Sequence, residues 1–125
     1  MSVKRSEVSF LKDIIKHADK IRAYLGGLEF YEFEQNERLV DVILRNFEII
    51  GEACDKVTQK TKDENPHIPW RNIKGMRNMI VHEYWNVDLK IIWNVYEQNL
   101  DGLQRDINHI IDHIIMTEQF RRGDS

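Results

Sequence analysis

Arg77, His82 and Tyr84 lie within eight residues of one another in the stretch GMRNMIVHEYW, Gly75 to Trp85. Each carries a side chain suited to phosphate chemistry. A guanidinium, charged at every accessible pH, can grip a phosphate through two parallel hydrogen bonds and stabilise the extra charge of a transition state. An imidazole, with an unperturbed pKa near about 6.5, can give or take a proton close to neutrality. Arg77 and His82 are together a minimal set for cutting RNA without a metal ion. The 2′-hydroxyl attacks the adjacent phosphorus, His82 moves a proton, and Arg77 stabilises the phosphorane. The competing reading is an ordinary helix whose Met76, Met79, Ile80, Val81 and Trp85 dock on a core, with Arg77 and His82 as partly buried structural residues. Spacing leaves both open. On an ideal helix, positions five apart lie about 140° around the axis, so Arg77 and His82 would not share a face. Arg77 and Tyr84, seven apart, would nearly align. Either the helix loosens near His82, or a second chain completes the site.

Charge singles out the same region. From Asn65 through His82 the chain has 18 residues without an acid, and Arg71, Lys74 and Arg77 fall inside that span with His67 and His82. The whole chain carries 21 acidic and 18 basic residues, a net charge of −3, which argues against general binding of a long polyanion. The pattern suits a local anion site, with Arg71 and Lys74 as supporting, RNA-phosphate-binding residues, or else a plain basic helix face.

Other groups with chemical potential point to structure. His109 and His113, four apart, have a spacing that can bind zinc, but they project away from the apolar stripe of their helix and no further ligand is indicated, so no metal site is expected. Arg45, Glu48 and Glu52 share the polar face of their helix, where pairing along the surface is the default and a cleft-lining face the alternative. Cys54 is the single cysteine, sits on an apolar stripe and reads as core packing in a reducing compartment. No glycine-rich phosphate loop, paired catalytic carboxylates or Cys/His cluster occurs, so neither a cofactor nor an ATP-using activity of its own is expected.

The elements that must position these residues are helices. A length of 125 residues makes one domain, 1–125, and six glycines with two prolines leave little turn chemistry for a many-stranded fold. Leu11, Ile14, Ala18, Ile21 and Leu25 recur in alternating steps of three and four, ending at Gly26-Gly27. Val40, Ile43, Phe47, Ile50, Cys54 and Val57 repeat the rhythm and fade into the polar TQKTKDENP. Leu89, Trp93, Tyr96, Leu100, Leu103, Ile107, Ile110 and Ile114 predict one last helix of roughly 40 Å or more, with Asn86 or Asp88 as its cap. Between them, a shorter segment opens near Pro69 and runs to about Tyr84. GGLEFYEFEQ and NPHIPW read as connections. The fold class is therefore all-α, an antiparallel up-and-down bundle of four main helices, in which a short motif-bearing helix precedes the long last one and the tail frays from about residue 119. The N-terminus lacks a signal-peptide run and no segment is apolar enough to span a membrane, so the expected location is the cytoplasm.

At RNMIVHEY the sequence resembles the HEPN-domain toxins of the HepT type, whose signature is R-x4-H-x-Y. Asn78, directly after the arginine, fits the polar residue common there. LRNFEIIGEA at 44–53, IPWRNIKGMRN at 68–78 and VDLKIIW at 87–93 look like the usual blocks of that family, so the resemblance runs from about residue 5 to 115. It implies a helical homodimer in which two motifs face a shared cleft. It also implies a metal-independent endoribonuclease with Arg77 and His82 as catalytic residues and Asn78 in support. The implied partner is a minimal nucleotidyltransferase antitoxin, in a type VII-like toxin–antitoxin pair, that uses ATP to adenylylate Tyr84. Asn46, Glu48 and Glu52 lie in a family-like block without an assignable role, and Glu83 puts a negative charge beside the site. Two alternatives stand beside this one: a non-catalytic subunit that presents nucleotide or substrate to the nucleotidyltransferase, and a plain dimeric scaffold.

Overall fold

The computed structural model describes residues 6–123; residues 1–5 and 124–125 of the expected single domain lie outside the described residues. The first two apolar stripes become α1 (Glu7–Leu25) and α3 (Glu37–Asp55). Ser6 caps α1 by accepting the Ser9 N–H, and Leu11, Ile14, Ala18, Ile21 and Leu25 are all buried. Asn36 caps α3 in the same way through the Leu39 N–H, and Ile43, Leu44, Phe47, Ile50, Ala53 and Cys54 enter the core. Burying each large aliphatic side chain contributes about 1.5–3 kcal/mol, so these stripes account for most of the association between the two helices. Cys54 is packed as expected, and burial pushes its thiol up to about 12, which leaves no thiolate near neutrality.

Long-range contacts fix the directions. The Glu7 carboxylate accepts from the Thr58 N–H and hydroxyl at 2.8 Å, while His17 meets Asn46 at 2.7 Å, so α1 and α3 run antiparallel. Arg22 donates to Asp101 and Gln104 donates to Asp19, both at 2.7 Å, which sets α7 (Leu100–Arg121) antiparallel to α1. α5 (Trp70–His82) packs on α3, and its start is pinned by the Trp70 indole N–H donating to the Asn65 carbonyl at 3.0 Å. The all-α antiparallel bundle expected from the sequence is the observed architecture.

Three details differ. The expected single last helix is two, α6 (Leu89–Gln98) and α7, broken at Asn99 with φ −120 and ψ −25. The break lets α6 pack on the short α2 (Phe30–Gln35), where Trp93 stacks on Phe33 at 5.6 Å and meets Phe30 edge-on at 5.9 Å, while α7 turns onto α1. One straight helix could not reach both partners. The stretches read as polar connection hold α2 and α4 (Gln59–Glu64), each 6 residues long, too short to show a helical period. They are made by local caps: Glu32 accepts the Glu29 N–H at 3.0 Å, and Thr58 accepts the Thr61 N–H. α7 also runs on through Arg121, past the residue at which the sequence suggested fraying. Asp88 caps α6 as expected. Among the described residues no helix is long and apolar enough to cross a membrane.

Candidate active site

The outer side of α3, together with α5 and the turn that follows it, carries the residues singled out by chemistry. α5 ends at His82, and the chain continues as a single 3-10 turn, Tyr84–Asn86. The helix does not loosen before His82, because the Glu83 N–H still bonds the Met79 carbonyl at 2.8 Å. Ile80 is buried and Met76 and Met79 pack against the core, so these three dock α5 as expected, whereas Val81 and Trp85, expected to dock with them, are exposed because they lie at and beyond the end of the helix, away from α3. Arg77 and Tyr84 both face α3, while His82 is exposed at the end of α5. Helical geometry thus keeps Arg77 and His82 on different sides, as their spacing requires.

Arg77 lies against Gly51 of α3. A Cβ on Gly51 would collide with the Cβ of Arg77 and come within 2.7 Å of its Cγ, so the two helices meet at a distance only glycine permits. The half-buried guanidinium donates through Nη1 to the Asn78 Oδ1 at 2.9 Å, and its Nε–H is buried without an acceptor among the described residues. A buried unpaired donor costs about 1–3 kcal/mol. Asn78 therefore orients Arg77 directly, a contact between sequence neighbours.

Tyr84 closes the other end of this contact. Its hydroxyl donates to Asp41 Oδ1 of α3 at 2.6 Å. Partial burial of the ring, the bond to Asp41, the charge of Asp41 and that of Glu48 together push the phenol up to about 12. The Gly51–Arg77 and Asp41–Tyr84 contacts run in opposite directions along the two helices, so α3 and α5 are antiparallel and the polar face of α3 lies along this strip. On that face Arg45 pairs with Glu48 at 3.0 Å and with Glu52 at 3.9 Å, so the default of surface pairing holds, while Glu48 is also close enough to act on Tyr84.

The remaining candidates spread out. Arg71 and Lys74 are exposed on α5, and Lys74 pairs with Asp55 at 3.5 Å. They border a groove of about 510 Å³ between α3, α4 and α5 that Lys62 also lines. His109 and His113 are exposed on α7, and no cluster of three or more His, Cys, Asp or Glu forms around them among the described residues. Asp41 and Gly51 had escaped sequence reasoning. Nothing in the sequence marks Asp41, since its role depends on where a turn forty residues later comes to rest. Gly51 had a signal, a glycine on the buried side of a long helix where any other small residue would propagate the helix better.

Comparison with known proteins bears on what this arrangement does. The Ribonuclease HepT-like family matches residues 14–110. Two Methanocaldococcus jannaschii proteins, provisionally named as RNases, are 31% identical over 111 residues and 30% identical over 108 residues. The alignments cover 89% and 86% of this chain and 92% and 93% of those proteins. A Thermococcus cleftensis protein, named Probable ribonuclease HepT, is 29% identical over 102 residues, covering 82% of this chain and 93% of its own. No solved structure matches the chain. With the family spanning most of the bundle and both sides of the α3–α5 contact, this protein belongs to the HepT-like ribonuclease family.

Proposed function

We propose that this protein is the toxin of a type VII-like toxin–antitoxin pair, an endoribonuclease that uses Arg77 and His82, works without a metal ion and is silenced by adenylylation of Tyr84. The observation that carries the reading is the strip itself. An arginine locked against α3, with a donor left unpaired, lies about a turn and a half before an exposed histidine on a helix that bears no carboxylate. In the reaction, the RNA 2′-oxygen forms a bond to the adjacent phosphorus as the bond to the 5′-oxygen breaks. The products are a 2′,3′-cyclic phosphate and a 5′-hydroxyl. His82 carries the proton from the 2′-oxygen toward the leaving 5′-oxygen, and Arg77 holds the charge that builds on the phosphorane. Because Arg77 and His82 diverge on one helix, the working site joins two copies of the chain across a shared cleft.

Inactivation follows from the position of Tyr84. A minimal nucleotidyltransferase antitoxin supplies ATP, the Tyr84 oxygen bonds to the α-phosphorus, and pyrophosphate leaves. Asp41, at 2.6 Å, takes the phenolic proton. The added AMP places a bulky anion two residues from His82, where it blocks the cleft and repels RNA. A second reading, a non-catalytic subunit that presents nucleotide to the same partner, draws support from the acidic side chains around Tyr84: Asp41 and Glu48 on α3, with Glu83 next to it in the chain.

The test is cleavage of RNA by purified, unmodified protein, with Arg77→Ala and His82→Ala beside it. Each variant should lose on the order of 100-fold or more of the cleavage rate and all toxicity while keeping its helical content and melting temperature. Wild-type protein that leaves RNA intact, with both variants as toxic as wild type, would sink the nuclease. Retained nucleotide affinity in that case would favour the presenting subunit.

A further inference from the structure

Gly75 sits in the middle of α5, exposed, and a Cβ placed there would meet nothing within 4 Å. The fold gives no reason for this residue. A glycine inside a helix is worse than alanine by about 0.5–1 kcal/mol, and here no packing neighbour offsets that loss. The outward face of the helix through Gly75 carries polar side chains and no acid. Arg71, Gly75, Asn78 and His82 follow the i, i+4, i+7, i+11 row that lies along one face, and Lys74 flanks it. Arg71 and His82 are exposed and have no hydrogen-bond or ion-pair partner among the described residues. Lys74 has only its solvent-exposed pair with Asp55 at 3.5 Å, a contact readily exchanged. The Asn78 amide nitrogen is also free among the described residues, since its oxygen is the atom that receives Arg77. The row thus offers donors and positive charge over about 16 Å, interrupted by one bare stretch of backbone.

We propose that a single strand of RNA runs along this face with its sugar–phosphate backbone in van der Waals contact with Gly75, so that Arg71 and Lys74 hold a phosphate remote from the one beside His82. This rests on the ribonuclease reading and adds a substrate path and a residue that controls access to it. Charge complementarity selects the occupant. A polyanion matches a face with two cations, an amide and an imidazole, on a helix without an acid. Glycine is the residue that lets a backbone come closest, and any side chain at 75 would stand between the strand and the helix.

The experiment measures binding of a fluorescein-labelled single-stranded RNA of twelve nucleotides to the full-length protein by anisotropy, with cleavage of a longer RNA followed in parallel. Gly75→Ala should melt a few degrees higher than wild type and bind RNA several-fold more weakly. Gly75→Leu should keep the wild-type fold and oligomeric state, bind at least tenfold more weakly and cleave in proportion. Arg71→Ala and Lys74→Ala should each lower the slope of log affinity against log salt by about 1. Wild-type affinity and cleavage in Gly75→Leu would overturn the path while leaving the ribonuclease reading intact. A changed oligomeric state in Gly75→Leu would overturn it too, assigning the face to a second copy. RNA binding that depends on Gly75 in a protein that cuts nothing would keep the path and remove the nuclease.

Discussion

The phenol of Tyr84 donates to Asp41 at 2.6 Å while 40% of the residue stays open to solvent, so it is both held and reachable. Its pKa, raised to about 12, means that the folded protein binds the phenolic proton more tightly than the unfolded chain, whose tyrosine titrates near 10. The sign follows from linkage: the contribution to stability is complete below pH 10 and is lost as pH rises from about 10 to about 12. Subtracting the 295 nm titration of Tyr84→Phe from that of wild type should isolate this late ionisation. Desolvation leads the shift and the Asp41 bond and charge follow, so Asp41→Asn, which keeps an acceptor but removes the charge, should bring the midpoint partway back toward 10. The same substitution bears on the proposed adenylylation. A phenol that ionises so late cannot attack ATP as a pre-formed phenolate near neutrality, and the proton must leave during the step. Asp41→Asn should therefore slow adenylylation by on the order of 100-fold, read as the gain of AMP mass over time, while RNA cleavage by the unmodified protein continues. An unchanged rate of modification would assign the proton to a base on the partner.

At the scale of elements, the strip depends on how closely α3 approaches α5. Gly51→Ala would put a methyl group onto the Cβ of Arg77, backbone-proximal on both sides, so neither side chain can swing away. The helices would have to part, at a cost of about 1–3 kcal/mol by denaturant unfolding. Cleavage should fall further than this loss of stability explains, because Arg77 and Tyr84 shift together. A variant with wild-type cleavage would show that the site tolerates the displacement. Legibility in the sequence follows the same physics. α1 and α3 were readable because each buries a long stripe against partners that run its full length, and a sustained period is what burial of that kind imposes. The bounds of α5 came within two residues for a similar reason, with Met76, Met79 and Ile80 docked. α2 and α4 were hidden because six residues cannot display a period, and local caps rather than a stripe define them. The break at Asn99 was hidden because the apolar rhythm runs through it unchanged, although the residues before and after it face different partners. Arg77, His82 and Tyr84 draw notice by type, stay ambiguous by spacing, and are singled out only by the resemblance of the blocks that flank them. Gly51 and Asp41 enter only once α3 and α5 are laid antiparallel.

At the scale of the whole molecule, a chain of net charge −3 must gather its positive charge locally to hold RNA, and it must hide or share its exposed apolar surface. Trp85 is 85% exposed directly after the motif, with Val81 and Ile91 also exposed on either side of it in the chain. Exposed apolar side chains so near the motif in the chain suit the two-copy arrangement proposed above, in which the divergence of Arg77 and His82 would be resolved. If each working site takes its arginine from one copy and its histidine from the other, symmetry dictates the outcome of mixing two dead variants. In a dimer of one Arg77→Ala chain and one His82→Ala chain, one site has lost both residues and the other has kept both. Equal mixing by chance makes half the dimers mixed, each with one intact site of two, so activity should recover to about a quarter of wild type. The measurement is RNA cleavage after the two purified variants are unfolded and refolded together, set against each refolded alone. If both residues of a site came from the same chain, every site in the mixture would lack one of them and no activity would return. Recovery near a quarter would place the catalytic pair across the interface, and its absence would require α5 to bring Arg77 and His82 together within a single copy.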